Sequence, residues 1–364
     1  MSGLGRIFLT KFIIESEGLQ KTLIKRRAIK DTMIVDMHAH VFTAEALAGV
    51  DRKVKKYAPQ LVVDGGKYEI VTGEKSSGLL APMPGFGDVE GRLKAMERMG
   101  VDVQILSVTP GNFCYDAPPE AGAVIAKTQN DAIADIVAEY PGRFVGCATV
   151  PLQDPGAAVE ELNRCVRDLE FTSVEIGSNV AGRNLDSPEL LPFYSEAERL
   201  GAPVVVHPIN NAGADRMRNY YLGNIVGNPM ETTLAIGSVV FGGVLERFKK
   251  LTFCWGHGGG FWPYQVGRFD HGYEVRAEPK ANIHHPPSEY TSRMYYDTIT
   301  HSEAALGYLI SVMGARNVLY GTDFPWDMGD YDSIPMIKEL KGVKAGDKSR
   351  ILGETSAKLF NVPE

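Results

Sequence analysis

Short apolar segments alternate with helical segments along most of the chain, and this alternation limits the possible folds more than any other feature. Apolar segments of this length, rich in Val, Ile and Leu, are typical of buried strands. They lie at 33–35, 103–108, 143–150, 172–176, 203–207, 251–255, 293–297 and 317–323. Helical segments are predicted at about 89–99, 119–140, 155–169, 187–200, 229–249, 261–276, 302–313, 333–340 and 348–360.

Strands that alternate with helices form a parallel sheet, and about eight strand–helix units predict an α/β fold, a closed (β/α)8 TIM barrel. An open doubly wound sheet is the alternative. No glycine-rich phosphate turn follows the first strand, which disfavours a dinucleotide-binding version of that sheet.

Residues 41–87 interrupt the alternation as an insertion after strand 1. The segment carries turn signals at Asp64-Gly65-Gly66 and at 82–85. A hairpin is expected near Val62 and 68–70, and a loop of this length is usually functional. We therefore predict one catalytic domain at 33–364 that contains this insertion.

Residues 1–32 form a separate N-terminal extension in this interpretation. Its apolar runs are short and interrupted, and its basic cluster at 25–27 follows them, unlike a secretory signal. Two readings stay open: translation starts naturally at Met33, or the extension is a helical arm used in dimer contacts.

Composition excludes several classes of function. The chain has 364 residues and a formal net charge of -7, and no basic stripe carries interleaved aromatic residues, so a nucleic-acid partner is not expected. No apolar run is long enough to span a membrane. The four cysteines show no paired metal-binding spacing, and Cys147 and Cys254 lie in strand-like runs, which suits a reducing cytoplasmic location.

The sequence Asp36-Met37-His38-Ala39-His40 follows the first apolar run. Residues two apart in a strand point to the same face, so His38 and His40 are expected to project together. Two imidazoles held in this way supply half of a metal site. On its own the pair is also consistent with two histidines in a polar loop, because short motifs often match by chance.

Histidine and aspartate recur at the ends of other predicted strands. His207 ends the fifth strand, and Asp323 ends the eighth. In a barrel all carboxyl ends meet at one face, where active sites are built. His38, His40, His207 and Asp323 therefore form a candidate site for one divalent metal ion, with Zn²⁺ favoured and Mn²⁺ as the alternative.

His257 follows the sixth strand and precedes three glycines, Gly258-Gly259-Gly260. Because the four metal ligands are already assigned, His257 is predicted to be the general acid/base. The alternative is a further metal ligand. Asp323 is expected both to bind the metal and to relay protons.

With these motifs the chain resembles the amidohydrolase superfamily, and within it the metal-dependent decarboxylases typified by aminocarboxymuconate semialdehyde decarboxylase. The resemblance starts at Met33 and rests on the segments 36–40, 150–154, 207–208, 257–260, 267–268, 287–290 and 321–325. It implies that His38, His40, His207 and Asp323 bind the metal and that His257 is catalytic.

The resemblance also implies a homodimer. In the family, an arginine that matches Arg268 reaches into the neighbouring subunit's site and binds a substrate carboxylate. A guanidinium fork suits that task. A salt bridge on a helix surface is the other interpretation of Arg268.

Two departures from the family concern the substrate. The family's second carboxylate-binding arginine is missing, because residues 78–82 read Gly-Leu-Leu-Ala-Pro. The family's tryptophan after strand five is replaced by Tyr220. His301, after strand seven, is a further candidate for binding a substrate hydroxyl or carboxylate.

The expected activity is non-oxidative decarboxylation of a small aromatic, heteroaromatic or muconate-type carboxylic acid. The alternative is a mononuclear metal-dependent hydrolase or hydratase. Many binuclear relatives in the superfamily use a carboxylated lysine at the end of strand four, and the absence of a lysine there disfavours a binuclear hydrolase. Glu175 in this strand is still a carboxylate that could bridge a second metal.

Overall fold

The structure is a computed structural model that describes residues 32–64, 66–76, 80–81 and 83–363. Apart from Thr32, the predicted N-terminal extension lies outside these residues. From Met33 onward the chain forms one compact unit.

Eight parallel strands form the central sheet, and each pairs with the next in chain order. Main-chain hydrogen bonds connect the first strand to the segment that follows the last strand, from Met37 N to Tyr320 O (2.9 Å) and from His40 N to Phe324 O (2.7 Å). The predicted (β/α)8 barrel is therefore confirmed. Its strands are β1 (Val35–Val41), β2 (Val103–Val108), β3 (Phe144–Thr149), β4 (Ser173–Gly177), β5 (Val204–His207), β6 (Phe253–Trp255), β7 (Met294–Asp297) and β8 (Val318–Leu319).

A helix follows each strand. Asp154 caps α3 by accepting hydrogen bonds from Gly156 N and Ala157 N, both at 3.1 Å, and Ser302 caps α7. The main helices are α1 (Val89–Met99), α2 (Pro119–Glu139), α3 (Pro155–Arg167), α4 (Leu191–Leu200), α5 (Asn228–Phe241), α6 (Trp262–Val275), α7 (Glu303–Met313) and α8 (Ser333–Glu339). Short helices lie at Ala44–Ala48, Arg52–Lys55, Val244–Arg247, Ala345–Ser349 and Thr355–Leu359.

Two sequence predictions of helices were wrong in extent. The helix expected at 229–249 is divided between α5 and Val244–Arg247, because Gly243 has a φ of 76° and ends the regular backbone. The helix expected at 348–360 is a continuous helical segment at 345–359 that begins earlier and contains one wider turn at Arg350–Glu354.

The two faces of the barrel strands pack into two apolar layers. Val35, Met37, Val103 and Ile105 belong to a cluster that fills the lower barrel interior. Ile34, Leu106, Val108 and other residues of the opposite face pack against the surrounding helices. Side chains therefore alternate between the barrel interior and the helix layer, as expected for strands.

A β-bulge in β1 interrupts this alternation. Asp36 lies opposite Gln104 and Ala39 lies opposite Leu106, so that two residues, Met37 and His38, face the single residue Ile105. After the bulge His40 pairs with Ser107, which lies two residues beyond the interior residue Ile105. The bulge thus turns His38 and His40 into the barrel interior, while Asp36 remains on the other face.

The insertion after β1 contains a small antiparallel sheet of three strands, at Gln60–Asp64, Lys67–Thr72 and Lys75–Ser76. Val62 pairs with Glu69, which confirms the predicted hairpin. The two ends of the insertion meet: the rings of Phe42 and Phe86 stack at 5.2 Å, and Phe42 N donates to Phe86 O at 2.8 Å.

Among the described residues, no helix combines the length and the apolar character needed to cross a membrane.

Gly353 allows close packing between the turn at 350–354 and the start of β1. A Cβ at this position would lie 1.7 Å from Met33 O. We expect Gly353→Ala to lower the free energy of unfolding by about 2–4 kcal/mol, because the backbone must shift. Gly346→Ala is the control, since its Cβ would meet no described atom within 4 Å. Denaturant unfolding of both variants checks this, and equal stabilities would contradict it.

Candidate metal centre and active site

The barrel brings the five predicted metal-binding and catalytic residues to one face. His38 and His40 lie in the last half of β1, His207 ends β5, His257 follows β6, and Asp323 follows β8. All are buried except His257, which is partly exposed. This convergence follows from the parallel barrel, in which every strand ends at the same rim.

The ring nitrogens and carboxylate oxygen of these residues are separated by distances typical of the ligands of one metal ion. His38 Nε2 lies 3.0 Å from His40 Nε2, and Asp323 Oδ1 lies 3.1 Å from His40 Nε2 and 3.5 Å from His38 Nε2. His207 is beside them, with its ring centroid 5.1 Å from that of His40. Ligands bound at about 2.0–2.1 Å to one ion lie about 3.0–3.4 Å apart, so these separations fit a shared metal.

The other ring nitrogens show which atoms face the centre. His38 Nδ1 is 2.7 Å from Asp297 Oδ2, His40 Nδ1 is 3.0 Å from Val108 O, and His207 Nδ1 is 3.0 Å from Pro208 O. These oxygens accept hydrogen bonds from Nδ1–H, which leaves each Nε2 with a lone pair. His207 Nε2 is buried without a hydrogen-bond partner among the described residues. Three converging lone pairs and a carboxylate oxygen form a donor set that fits a divalent metal.

The electrostatics at His207 and Asp323 favour the metal-binding protonation states of these two residues. Burial and the neighbouring imidazoles lower the pKa of His207 well below its ordinary value, so its ring is neutral. Burial would raise the pKa of Asp323, but contacts with His257 and His40 outweigh it and hold that pKa well below the usual range. Neutral imidazole and ionised carboxylate are the forms that bind metal.

Asp297, at the end of β7, is a candidate functional residue that the sequence interpretation missed. Its buried carboxylate accepts from His38 Nδ1, from His257 N at 2.8 Å, from Gly258 N at 2.7 Å and from Ile299 N at 3.1 Å. It therefore orients a metal-ligand ring and the backbone of His257 at once. An aspartate at a strand end was the available signal, the same one that identified Asp323.

His257 lies against the metal cluster on the side of the second carboxylate oxygen. Its Nε2 is 3.5 Å from Asp323 Oδ2, while Asp323 Oδ1 faces His38 and His40. Its ligand atom, together with those of His38, His207 and Asp323, lies within a group spanning 4.8 Å. Its backbone φ of 55° is unusual for a residue with a side chain. The two hydrogen bonds to Asp297 hold this conformation.

Glu175 lies inside the barrel but on the other side of His40. Its Oε1 is 3.8 Å from His40 Nδ1, the nitrogen that points away from the cluster. Burial raises the pKa of Glu175 to about 8, which favours a neutral carboxyl group near pH 7. The position of Glu175 on the far side of His40 disfavours it as the bridge of a second metal, in agreement with the mononuclear interpretation.

Two cavities adjoin the cluster. The insertion-side cavity, of about 770 Å³, is lined by His207, Asp323, Tyr221 and one face of the insertion. The α6–α7 cavity, of about 590 Å³, is lined by His257, His301 and side chains of those helices. Asn224 and Asn228 line both cavities, so the two cavities are neighbours.

The three predicted substrate-binding residues lie in three different environments. His301 shares a cavity with His257. Tyr220 is 86% exposed, and its neighbour Tyr221 is the tyrosine that lines the insertion-side cavity. Arg268 is exposed on α6 and lines neither cavity of its own chain.

The chain is similar to known proteins over most of its length. Residues 35–362 match the protein family described as amidohydrolase. The chain is 40% identical over 267 residues to a 2-amino-3-carboxymuconate-6-semialdehyde decarboxylase of Dictyostelium discoideum, which covers 73% of this chain and 74% of that protein. It is 28% identical to a gamma-resorcylate decarboxylase of Rhizobium sp., over 70% of this chain and 83% of that protein.

A solved structure shares the fold. The dihydroxybenzoic acid decarboxylase of Polaromonas sp., solved with bound manganese and the inhibitor 2-nitroresorcinol, superposes with a TM-score of 0.71 at 22% identity. The match covers 91% of this chain and 97% of that one.

Removal of the Asp297 charge tests its role in orienting the ligands. We expect Asp297→Asn to weaken metal affinity about 10–100-fold, because an amide cannot accept all four hydrogen bonds and the His38 ring loses its orientation. Competition with a chromogenic chelator measures the affinity. Asp332→Asn, at an exposed carboxylate, serves as the control, and an unchanged affinity in Asp297→Asn would refute the assignment.

Proposed function

The chain belongs to the amidohydrolase family, and we propose that it is a metal-dependent carboxy-lyase that removes CO₂ non-oxidatively from a small aromatic or muconate-type carboxylic acid. The observation that carries the proposal is the cluster itself, in which three imidazole lone pairs, one carboxylate and a further histidine converge beside two cavities. The decarboxylases among its relatives support the same reaction.

In this proposal His38, His40, His207 and Asp323 hold one divalent ion, and residues 33–364 form the catalytic domain. When bound, the ion supplies positive charge that orients the substrate carboxylate and stabilises negative charge in the transition state. We favour Zn²⁺ because three nitrogens and one oxygen suit it, with Mn²⁺ as the alternative. The manganese in the Polaromonas relative supports that alternative.

His257 delivers the proton. In the proposed reaction its imidazolium protonates the ring or chain carbon that bears the carboxylate, and the electron pair of the breaking C–C bond restores the conjugated system as CO₂ leaves. Asp323 Oδ2, 3.5 Å from His257 Nε2, stabilises the charged imidazolium. The neutral imidazole then takes a new proton from solvent.

Isotope incorporation tests the reaction. Metal-loaded protein in heavy water, incubated with hydroxybenzoates, heteroaromatic acids and carboxymuconate semialdehydes, is expected to release CO₂ and to leave deuterium at the vacated carbon. Mass spectrometry of the product measures both. Addition of water or ring opening without CO₂ would instead support the hydratase or hydrolase alternative.

Replacing His257 separates catalysis from metal binding. His257→Asn is expected to lower kcat by about 10²–10⁴-fold, the usual contribution of a general acid, while metal content per chain stays unchanged. His271→Asn changes an exposed histidine of α6 and is the control. Loss of metal in His257→Asn would show that His257 is a ligand rather than the acid.

The homodimer is also a proposal. Arg268 is exposed on α6 and lines neither cavity of its own chain, which supports a role in a neighbouring subunit's site. A guanidinium there would bind a substrate carboxylate.

Subunit complementation tests this arrangement. Arg268→Gln and His257→Asn are each expected to be inactive as homodimers. Unfolding and refolding them together should restore about one quarter of wild-type activity, because half of the dimers are mixed and each mixed dimer has one intact site. Mixed dimers without activity, or a monomer in analytical ultracentrifugation, would refute the shared site.

A further inference from the structure

Two asparagine residues are shared by the cavities beside the metal cluster. Among the residues that the structure describes, only Asn224 and Asn228 line both the insertion-side cavity and the α6–α7 cavity. His207 and Asp323 line only the first of these cavities, and His257 lines only the second. A substrate that contacts both the metal-binding residues and the acid therefore lies close to the two asparagines.

One wider helical turn brings the two side chains to the same face. The turn at Gly223–Gly227 leads directly into α5, so Asn224 and Asn228 are four residues apart in one continuous helical segment. Residues with this spacing lie one above the other on a helix surface. Turns of this wider kind are frequent at functional sites.

The side-chain amide of Asn228 is held through its oxygen, and its nitrogen is left open. Asn211 Nδ2 donates to Asn228 Oδ1 at 2.9 Å and to Gly223 O at 2.6 Å. Asn211 packs tightly against Gly227, where a Cβ would lie 2.5 Å from Asn211 Nδ2. Asn228 Nδ2 donates to no described residue, and the side chain of Asn224 forms no hydrogen bond with one. Both amides therefore have N–H groups available for a ligand.

These surroundings favour a neutral ligand group over a charged one. Among the described residues, no lysine or arginine lines the α6–α7 cavity. The insertion-side cavity is lined by Lys56 and by two carboxylates outside the metal cluster, Asp116 and Asp327. A carboxylate held at the asparagines would lose water without a cation of this chain beside it, which costs free energy. A neutral oxygen acceptor pays a much smaller desolvation cost, and an amide N–H can offset it.

We propose that Asn224 and Asn228 bind a neutral oxygen substituent of the substrate, such as a hydroxyl, methoxy or carbonyl oxygen, and so select acids that carry one. This inference rests on the proposed function, because it places the substrate carboxylate at the metal cluster. Phe113, Tyr115 and Trp326 line the insertion-side cavity and suit an aromatic ring. With the carboxylate at the metal, a bond from the substituent to the asparagines fixes the rotation of that ring.

Binding of matched ligands tests the proposal independently of turnover. The probes are 2-hydroxybenzoates with a methoxy group at one of the remaining ring positions, each paired with the ethyl compound of the same shape. An ether oxygen accepts hydrogen bonds and cannot donate them. Calorimetry with the zinc-loaded protein gives the ratio of the two affinities at each position for wild type and for each variant.

The variants remove the N–H donors in two ways. Asn228→Asp keeps the oxygen that accepts from Asn211, and Asn224→Leu replaces an amide that has no described partner without adding charge. Asn219→Asp is the control, because Asn219 is exposed in the preceding loop and lines neither cavity. Where Asn228→Asp weakens both probes beyond detection, the ratio for Asn224→Leu decides.

The wild type is expected to prefer the methoxy compound at one ring position or more, and each cavity variant to lose about three- to tenfold of that preference, the value of a neutral hydrogen bond. Asn219→Asp should retain the preference, and added salt should leave it unchanged in wild type because no charge is involved. The proposal is overturned if the wild type shows no preference at any position, or if the cavity variants keep it. If the preference depends on the asparagines but no acid yields CO₂, the site assignment stands and the proposed reaction fails.

Discussion

The extra residue in β1 is the constraint on which the metal centre depends. In a regular strand, Asp36, His38 and His40 would share a face, and a barrel strand cannot direct that face both toward the helices and toward the interior. The bulge at Met37 and His38 separates them. Asp36 then accepts hydrogen bonds from Gln104 Nε2, Thr322 Oγ1 and the main chain, and these bonds tie β1 to β2 and to the segment that carries Asp323.

A buried arginine extends this support to the insertion. Arg92 donates to Gln104 Oε1, to His40 O and to Gly85 O, where the insertion returns to the barrel. Burial lowers the pKa of Arg92 to about 9, and the charge of Asp36 opposes that effect. An apolar residue in place of Arg92 would leave these three carbonyl oxygens without a donor. Unpaired acceptors in a buried site lower the stability of the fold. The ligand pair in β1 is thus supported from the helix-facing side of the strand.

The order of elements was predictable from the sequence because it depends on local patterns. The alternation of apolar and helical segments predicted the eight strands. The positions of His207, His257 and Asp323 at strand ends predicted that they lie at one face of the barrel. The bulge was not predictable, since it is a property of the pairing between β1 and β2 and not of β1 alone. Tyr220 and Tyr221 could not be distinguished, because both have positive φ in an irregular loop where no period relates sequence to direction. Asp297 ends a predicted strand as Asp323 does, but its role was missed because its partners include main-chain N–H groups, which have no sequence signature.

The stacked rings of Phe42 and Phe86 give the insertion a property that matters over evolutionary time. Its three strands pair with one another and, among the described residues, with no barrel strand, and both of its ends leave the barrel at this one aromatic contact. The chain between the two rings can therefore change in length and sequence while the contact between Phe42 and Phe86 keeps the two ends of the insertion together. Selection can remodel one wall of the pocket in this way, and a lineage can explore new acids without first losing its metal.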